Sequence, residues 1–196
     1  VHSYSTDSNE RINIPFYLAI ISILSAWLLP KLIEMMGLSI PWYVDAPAVM
    51  GFYFIYYKLF DNFFWKWKWF AKINLIQTPN FNGTWDGHFL SSYDGHTNQK
   101  PGTIEIIQTW TRMCVVFNNG TSRSKSITSS IMTTNAEGYV LSYEYQNEPN
   151  YNSVPTMQIH RGFTRLTLSR DQKKLEGGYY TGRGRLNYGT MEFLKP

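Results

Sequence analysis

The chain has 196 residues, 43% of them hydrophobic and 17% aromatic, with a formal charge of +4 and one cysteine. A single cysteine excludes an intrachain disulfide framework, and a mean hydropathy of −0.29 excludes a chain embedded in lipid throughout. From Ile73 onward 12 Lys and Arg stand against 9 Asp and Glu, too dilute an excess for the concentrated basic face that duplex nucleic acid requires, so neither DNA nor RNA is expected as a partner.

Val1 to Glu10 is polar, and residues 1–11 read as an N-terminal tail. Ile12 to Leu29 carries no charge; as a helix rising ~1.5 Å per residue it reaches about 27 Å, close to the ~30 Å hydrocarbon core. Pro15 falls in the first turn, where its missing N–H costs little, and Pro30 is expected to end the helix. A connector follows to Asp45, with Trp42 and Tyr43 suited to a membrane interface. A second span is expected from about Ala46 to Phe64, interrupted by Lys58 and Asp61, which share a helix face and can pair or snorkel. Phe63 to Phe70 then interleaves rings with Lys66 and Lys68, a composition that suits the headgroup layer.

Residues 12–70 therefore read as a two-helix transmembrane hairpin, with spans at about 12–29 and 46–64. Arg11 precedes the first span and Lys66, Lys68 and Lys72 follow the second, while the connector offers Lys31 alone. Cations collect on the cytoplasmic side, so both termini are expected in the cytoplasm, and residues 82–196 with them, beyond a linker at 71–81.

Past that linker the period changes to two. Trp85, Gly87 and Phe89 share a face, and alternation is read as continuous from Thr103 to Phe117, which puts Ile104, Ile106, Gln108, Trp110 and Arg112 on one side. Asn118-Asn119-Gly120 is a turn signal. Ser122, Ser124 and Ser126 line one face of the next strand, and Leu141, Tyr143 and Tyr145 one face of another. Strands are expected over Met157–Ser169, Lys174–Thr181 and Leu186–Leu194, with a turn at Gly182 to Arg185. Seven or eight short strands at this spacing, with no helical pattern among them, indicate an antiparallel barrel or sandwich. The Gly-x-Trp of the first strand and the even series of hairpins favour an up-and-down eight-stranded β-barrel of lipocalin-like form, a size that side chains or one small ligand can fill.

Catalytic signatures do not appear. His2, His88, His96 and His160 sit at no metal-ligand spacing, Cys114 reads as a small apolar strand residue, and no phosphate loop or nucleophile elbow is present. Neither an enzyme nor a metal site is expected. Binding chemistry is better supplied. Gln108, Trp110, Tyr143, Tyr145, His160 and Tyr179 offer rings and polar tips, and Arg112, Arg161, Arg183 and Arg185 offer planar donors for phosphate. Stacking rings plus arginine suit a nucleotide, and all of these but Arg185, nine residues, form the candidate binding set.

The order of short motifs behind two spans is distinctive: Gly83-Thr84-Trp85-Asp86-Gly87, Ile106-Ile107-Gln108-Thr109-Trp110, Ser122-Arg123-Ser124-Lys125-Ser126, Leu141-Ser142-Tyr143-Glu144-Tyr145, His160-Arg161-Gly162, Leu175-Glu176-Gly177-Gly178-Tyr179 and Gly189-Thr190-Met191. In that order the chain resembles the two-transmembrane, β-strand-rich effectors of bacterial cyclic-oligonucleotide-based antiphage signalling (CBASS). The resemblance implies a barrel that senses a cyclic dinucleotide made by a partner nucleotidyltransferase. It also implies a homo-oligomer on activation and disruption of the bacterial inner membrane, with no cofactor and no catalysis. Two other readings fit the residues: a membrane-anchored carrier of a small apolar ligand, whose lumen would be chiefly aliphatic, and a membrane scaffold that binds no ligand.

Overall fold

Alternation from Gly83 onward closes a β-barrel. The computed structural model describes residues 1–38, 45–135, 138–153, 158–182 and 185–196, and the chain forms two units: Val1–Ser8 together with Thr78–Pro196, and Asn9–Gln77. In the first unit the strands are β1 (His2–Thr6), β2 (Gly83–Ser91), β3 (Lys100–Gln108), β4 (Arg112–Asn118), β5 (Ser122–Met132), β6 (Tyr139–Pro149), β7 (His160–Leu168), β8 (Lys174–Thr181) and β9 (Tyr188–Leu194). Their order around the barrel is β1-β4-β3-β2-β9-β8-β7-β6-β5. From β2 to β9 each strand pairs antiparallel with its neighbour in sequence, and β9 returns to β2 through Asp86↔Leu194 to Ser91↔Gly189.

The remaining seam, between β4 and β5, is closed in two ways. Directly, Val116 to Asn118 pair with Lys125 to Arg123. Beyond that point the two strands part and β1 fills the gap, antiparallel to β4 at His2↔Met113 and parallel to β5 from Tyr4↔Ser129 to Thr6↔Ile131. Side chains hold β1 in place. His2 Nε2 lies 2.7 Å from Ser126 Oγ, Tyr4 donates to the Trp110 carbonyl at 2.7 Å, and Asp7 accepts from the Thr133 amide at 2.8 Å and the Thr134 hydroxyl at 2.7 Å. The tail expected over residues 1–11 is thus divided: its first part is a barrel strand, because the parted edges of β4 and β5 leave backbone groups that need partners.

A second correction concerns Thr103–Phe117. Two strands replace the single one expected, because Thr109 turns the chain: its Oγ1 accepts from the amides of Thr111 and Arg112 at 3.3 and 3.0 Å. A threonine hydroxyl that takes up turn amides substitutes for a ladder, and Trp110 is buried within that turn, so the apolar alternation masks the break.

Inward positions differ along the barrel axis. Toward one end they are Trp85, Ile104, Ile106, Met113, Ile131, Leu141, Leu166, Leu168, Leu175 and Phe193, all essentially inaccessible to solvent. These large aliphatic and aromatic groups belong to one buried cluster that fills this end. Gln108 seals this end, accepting from the Phe81 amide at 2.8 Å and donating to the Pro79 carbonyl at 3.1 Å, while Trp85 Nε1 donates to the Phe81 carbonyl at 3.0 Å. Toward the other end the same strands turn inward serine, threonine, glycine, tyrosine and asparagine.

The second unit contains α1 (Glu10–Met35), α2 (Asp45–Asn62), a 3-10 turn at Phe64–Lys66 and α3 (Lys68–Lys72). Helix α1, at ~1.5 Å per residue, is about 39 Å long. It continues through Pro30 to Met35 instead of ending there; a proline costs one backbone hydrogen bond and a local bend, which a long apolar helix absorbs. Among the described residues α1 alone is long and apolar enough to cross a membrane by length and composition. Ser22 and Ala26 are buried on it, small residues of the kind that let two helices approach in lipid, and Ser25 Oγ meets Tyr56 of α2 at 2.8 Å. Trp67 stacks on Phe70 at 6.1 Å and tilts against Phe64 at 4.8 Å. Trp42 and Tyr43 lie outside the described residues.

Candidate functional site

The inward residues of the less filled end surround a cavity of about 630 Å³, within the ~300–1,000 Å³ typical of small-molecule sites. It lies at the end of the barrel away from Gly83, where β2, β4, β6 and β8 finish and β3, β5, β7 and β9 begin. Its wall combines rings with short polar groups. Phe89 meets Phe117 edge-on at 5.5 Å and Tyr179 at 6.3 Å, and Tyr145 faces Tyr143 at 6.4 Å and His160 at 6.4 Å. Between the rings lie Ser122, Ser124, Asn147, Thr164 and Thr181. The β4–β5 turn at the rim is held by Asn119, whose Oδ1 accepts from the amides of Thr121 and Ser122 at 3.1 and 2.8 Å.

Two cations reach the same wall. Lys100 is half-buried and pairs with Asp94 at 2.7 Å, which holds the Asp94 carboxyl below its ordinary range. Arg185 brings Nη1 to 3.3 Å from His160 Nδ1, and that nitrogen also lies 3.0 Å from the Gln158 carbonyl. A neutral imidazole satisfies one of these at a time, donating to Gln158 or accepting from Arg185. Burial, with the Arg185 charge behind it, pushes the His160 pKa down against that hydrogen bond. Burial raises the phenols: Tyr143 is pushed up to about 12, partly offset by its hydrogen bond with Thr164, and Tyr145 and Tyr179 are also raised. All three remain protonated donors at neutral pH. Rings to stack on, neutral donors and acceptors, and cations at one rim make a site suited to a planar, anionic ligand.

Of the nine residues singled out from sequence, Tyr143, Tyr145, His160 and Tyr179 are brought together on this wall. Gln108 and Trp110 are buried at the opposite, filled end, where the Gln108 amide binds backbone and the Trp110 carbonyl accepts from the Tyr4 hydroxyl. Arg112 opens β4 after the Thr109 turn, which resets the alternation, so it points outward while Met113 points in. Arg161 is likewise on the outer face, 3.9 Å from Glu144 with its side chain 68% exposed, because its neighbours His160 and Gly162 take the inward positions of β7. Arg183 lies outside the described residues. The wall also includes Phe89, Lys100, Phe117, Ser122, Ser124, Asn147 and Arg185, which the sequence reading left out of the set. Asn147 was within reach of that reading, since it continues the parity of Leu141, Tyr143 and Tyr145. Arg185 is read from the sequence as a phosphate donor but, as a turn residue without parity, is not placed in the set.

Comparison with known proteins agrees with both units. Residues 76–195 match the family model described as Cap15, cyclic dinucleotide receptor domain, and residues 12–66 match the one described as Cap15, TM helices. CD-NTase-associated protein 15 of Yersinia aleksiciae is 35% identical over 147 residues, which cover 74% of this chain and 68% of that protein. A membrane segment of apolar helix thus precedes a β-barrel whose open end carries stacking rings and cations, and the chain belongs to the Cap15 family of CBASS membrane effectors, with a cyclic dinucleotide receptor domain behind its transmembrane helices.

Proposed function

We propose that the cavity at the open end of the barrel is the receptor site, and that a cyclic dinucleotide seated there drives self-association of the chain in the bacterial inner membrane. The observation that carries this reading is a 630 Å³ space whose wall unites Tyr143, Tyr145 and Tyr179 with Arg185 and Lys100. Rings take the bases by stacking, and the cations take phosphate. In this reading the barrel binds and releases its ligand unchanged, a partner nucleotidyltransferase supplies it, and both termini face the cytoplasm where it is made. Two helices per chain cross the bilayer, and barrel association concentrates them until the bilayer fails.

Titrating the detergent-solubilised full chain with 3′3′-cyclic dinucleotides, while following particle size, tests the reading. Saturable binding with growth in particle size is the expected result. Binding without growth would sink the assembly step, no binding would sink the receptor site, and recovery of a linearised dinucleotide would contradict a purely receptive role. Reporter fusions at each end of the chain test the orientation; an extracytoplasmic signal from either would overturn it.

A further inference from the structure

Asn147 lies on the inward face of β6, 4% exposed, at the wall of the cavity. Its Nδ2 donates to Ser122 Oγ and Ser124 Oγ, each at 2.9 Å. Its Oδ1 is buried and has no hydrogen-bond partner among the described residues. The orientation of the amide follows from the surrounding chemistry. Ser122 Oγ is also 3.3 Å from Asn119 Oδ1, which can only accept, so the Ser122 proton goes there and its lone pair faces Asn147. Only the nitrogen end of the amide satisfies that lone pair. The two serines thus hold the nitrogen end of an amide that lines the cavity, and the oxygen end is left without a partner among the described residues.

Accepting the cavity as the dinucleotide site, we propose that Asn147 is its base-reading position, with Oδ1 accepting an N–H from the edge of one base. A phosphate offers only acceptors and cannot satisfy Oδ1. The groups beside Asn147 favour a base over a ribose hydroxyl: Tyr145 precedes it on the same face, and His160 is its cross-strand partner and meets the Tyr145 ring edge-on. A planar ring lodged against these presents its edge, not its face, to residue 147. Because both Nδ2 hydrogens are committed to serines, the amide cannot make the paired donor–acceptor contact with adenine that asparagine makes elsewhere. It reads as an acceptor alone, and so selects an exocyclic amine or a ring N–H.

The test uses the full chain in detergent and a panel of 3′3′-cyclic dinucleotides of the four standard bases. Asn147→Ala is expected to weaken the best ligand about tenfold, the loss of one well-made hydrogen bond, and the poorest ligands much less, so that the ranking narrows. On the wild-type chain, deleting or methylating the base N–H donors of the best ligand one at a time is expected to cost about tenfold at one position. This arm needs no substitution and stands even where Asn147→Ala fails to fold. An even loss across the panel, a loss under twofold, or indifference to every donor deletion overturns the proposal. If Arg185→Ala weakens binding while Asn147→Ala does not, this inference falls and the receptor site stands; if no cyclic dinucleotide binds the wild-type chain, both fall.

Discussion

The phenol of Tyr145 lies over Gly162, its cross-strand partner on β7, in space that a Cβ at position 162 would occupy. Tyr179 has the same relation to Gly189 on β9, where an added Cβ would come within 2.7 Å of the ring. Without a side chain opposite, each ring lies down along the wall instead of standing across the lumen. The glycines thereby keep the cavity open and fix the rings as stacking surfaces.

Gly162→Ala is therefore expected to displace Tyr145 and to press on the Tyr180 carbonyl, which also borders that space. Overpacking of this kind costs roughly 1–3 kcal/mol. A thermal melt should show that loss, and ligand titration a drop of about tenfold or more; unchanged affinity would mean the Tyr145 ring is not a ligand surface.

Arg185→Ala is expected to weaken cyclic dinucleotide binding by about ten- to a hundredfold, the range for a hydrogen bond to a charged group, and to flatten its salt dependence. Arg165→Ala, on the exposed face of β7, should change affinity less than twofold. Equal effects from the two would mean that long-range charge, not a contact at the rim, attracts the ligand.

His160 titrates below its ordinary 6.5 in the folded barrel because it is buried beside Arg185. The unfolded chain therefore takes up the proton first, so this residue's contribution to stability is present above pH 6.5 and declines as the pH falls below it. An anionic ligand at the same rim favours the protonated ring and raises its pKa. Binding should take up protons, and affinity should rise as the pH falls from 8 toward 6. Calorimetry in buffers of different ionisation enthalpy measures the uptake, and His160→Asn should abolish it. Proton release on binding would contradict this placement of the phosphate.

Asp7 anchors β1 to the loop after β5. Burial alone would raise its pKa, but hydrogen bonds from the hydroxyls and amides of Thr134 and Thr133 outweigh burial and lower it to about 2. For a depressed carboxylate the stabilisation is present above pH 3.8 and lost as the pH falls toward 2. Asp7 is exposed, so the effect is modest, on the order of 1 kcal/mol or less. Asp7→Asn should flatten the acid limb of the stability profile between pH 4 and 2; an identical limb would show that β1 is held without it.

Strand parity was legible in the chain wherever a strand ran uninterrupted. Leu141, Tyr143 and Tyr145 point inward as their spacing predicts, and the Lys174–Thr181 strand has the expected bounds. Parity failed at Thr109, where a hydroxyl replaced a ladder and sent Arg112 outward. It was also silent on His2–Thr6, a polar pentapeptide whose strand state depends on the gap between β4 and β5. The candidate site divided along the same line. Its rings sit on regular strands and could be counted along the chain, whereas Arg185 comes from a turn and Lys100 joins through the closure of the barrel.

The sequence by itself determined the two solvents of this protein and the repeat of its sheet, because hydropathy and period two are local properties that each segment carries alone. Only the tertiary structure decided which inward positions fill and which stay open. That depends on what stands across the lumen: apolar groups meet apolar groups near Trp85 and pack into a buried cluster, while rings opposite glycines and serines near Tyr145 leave room for a ligand.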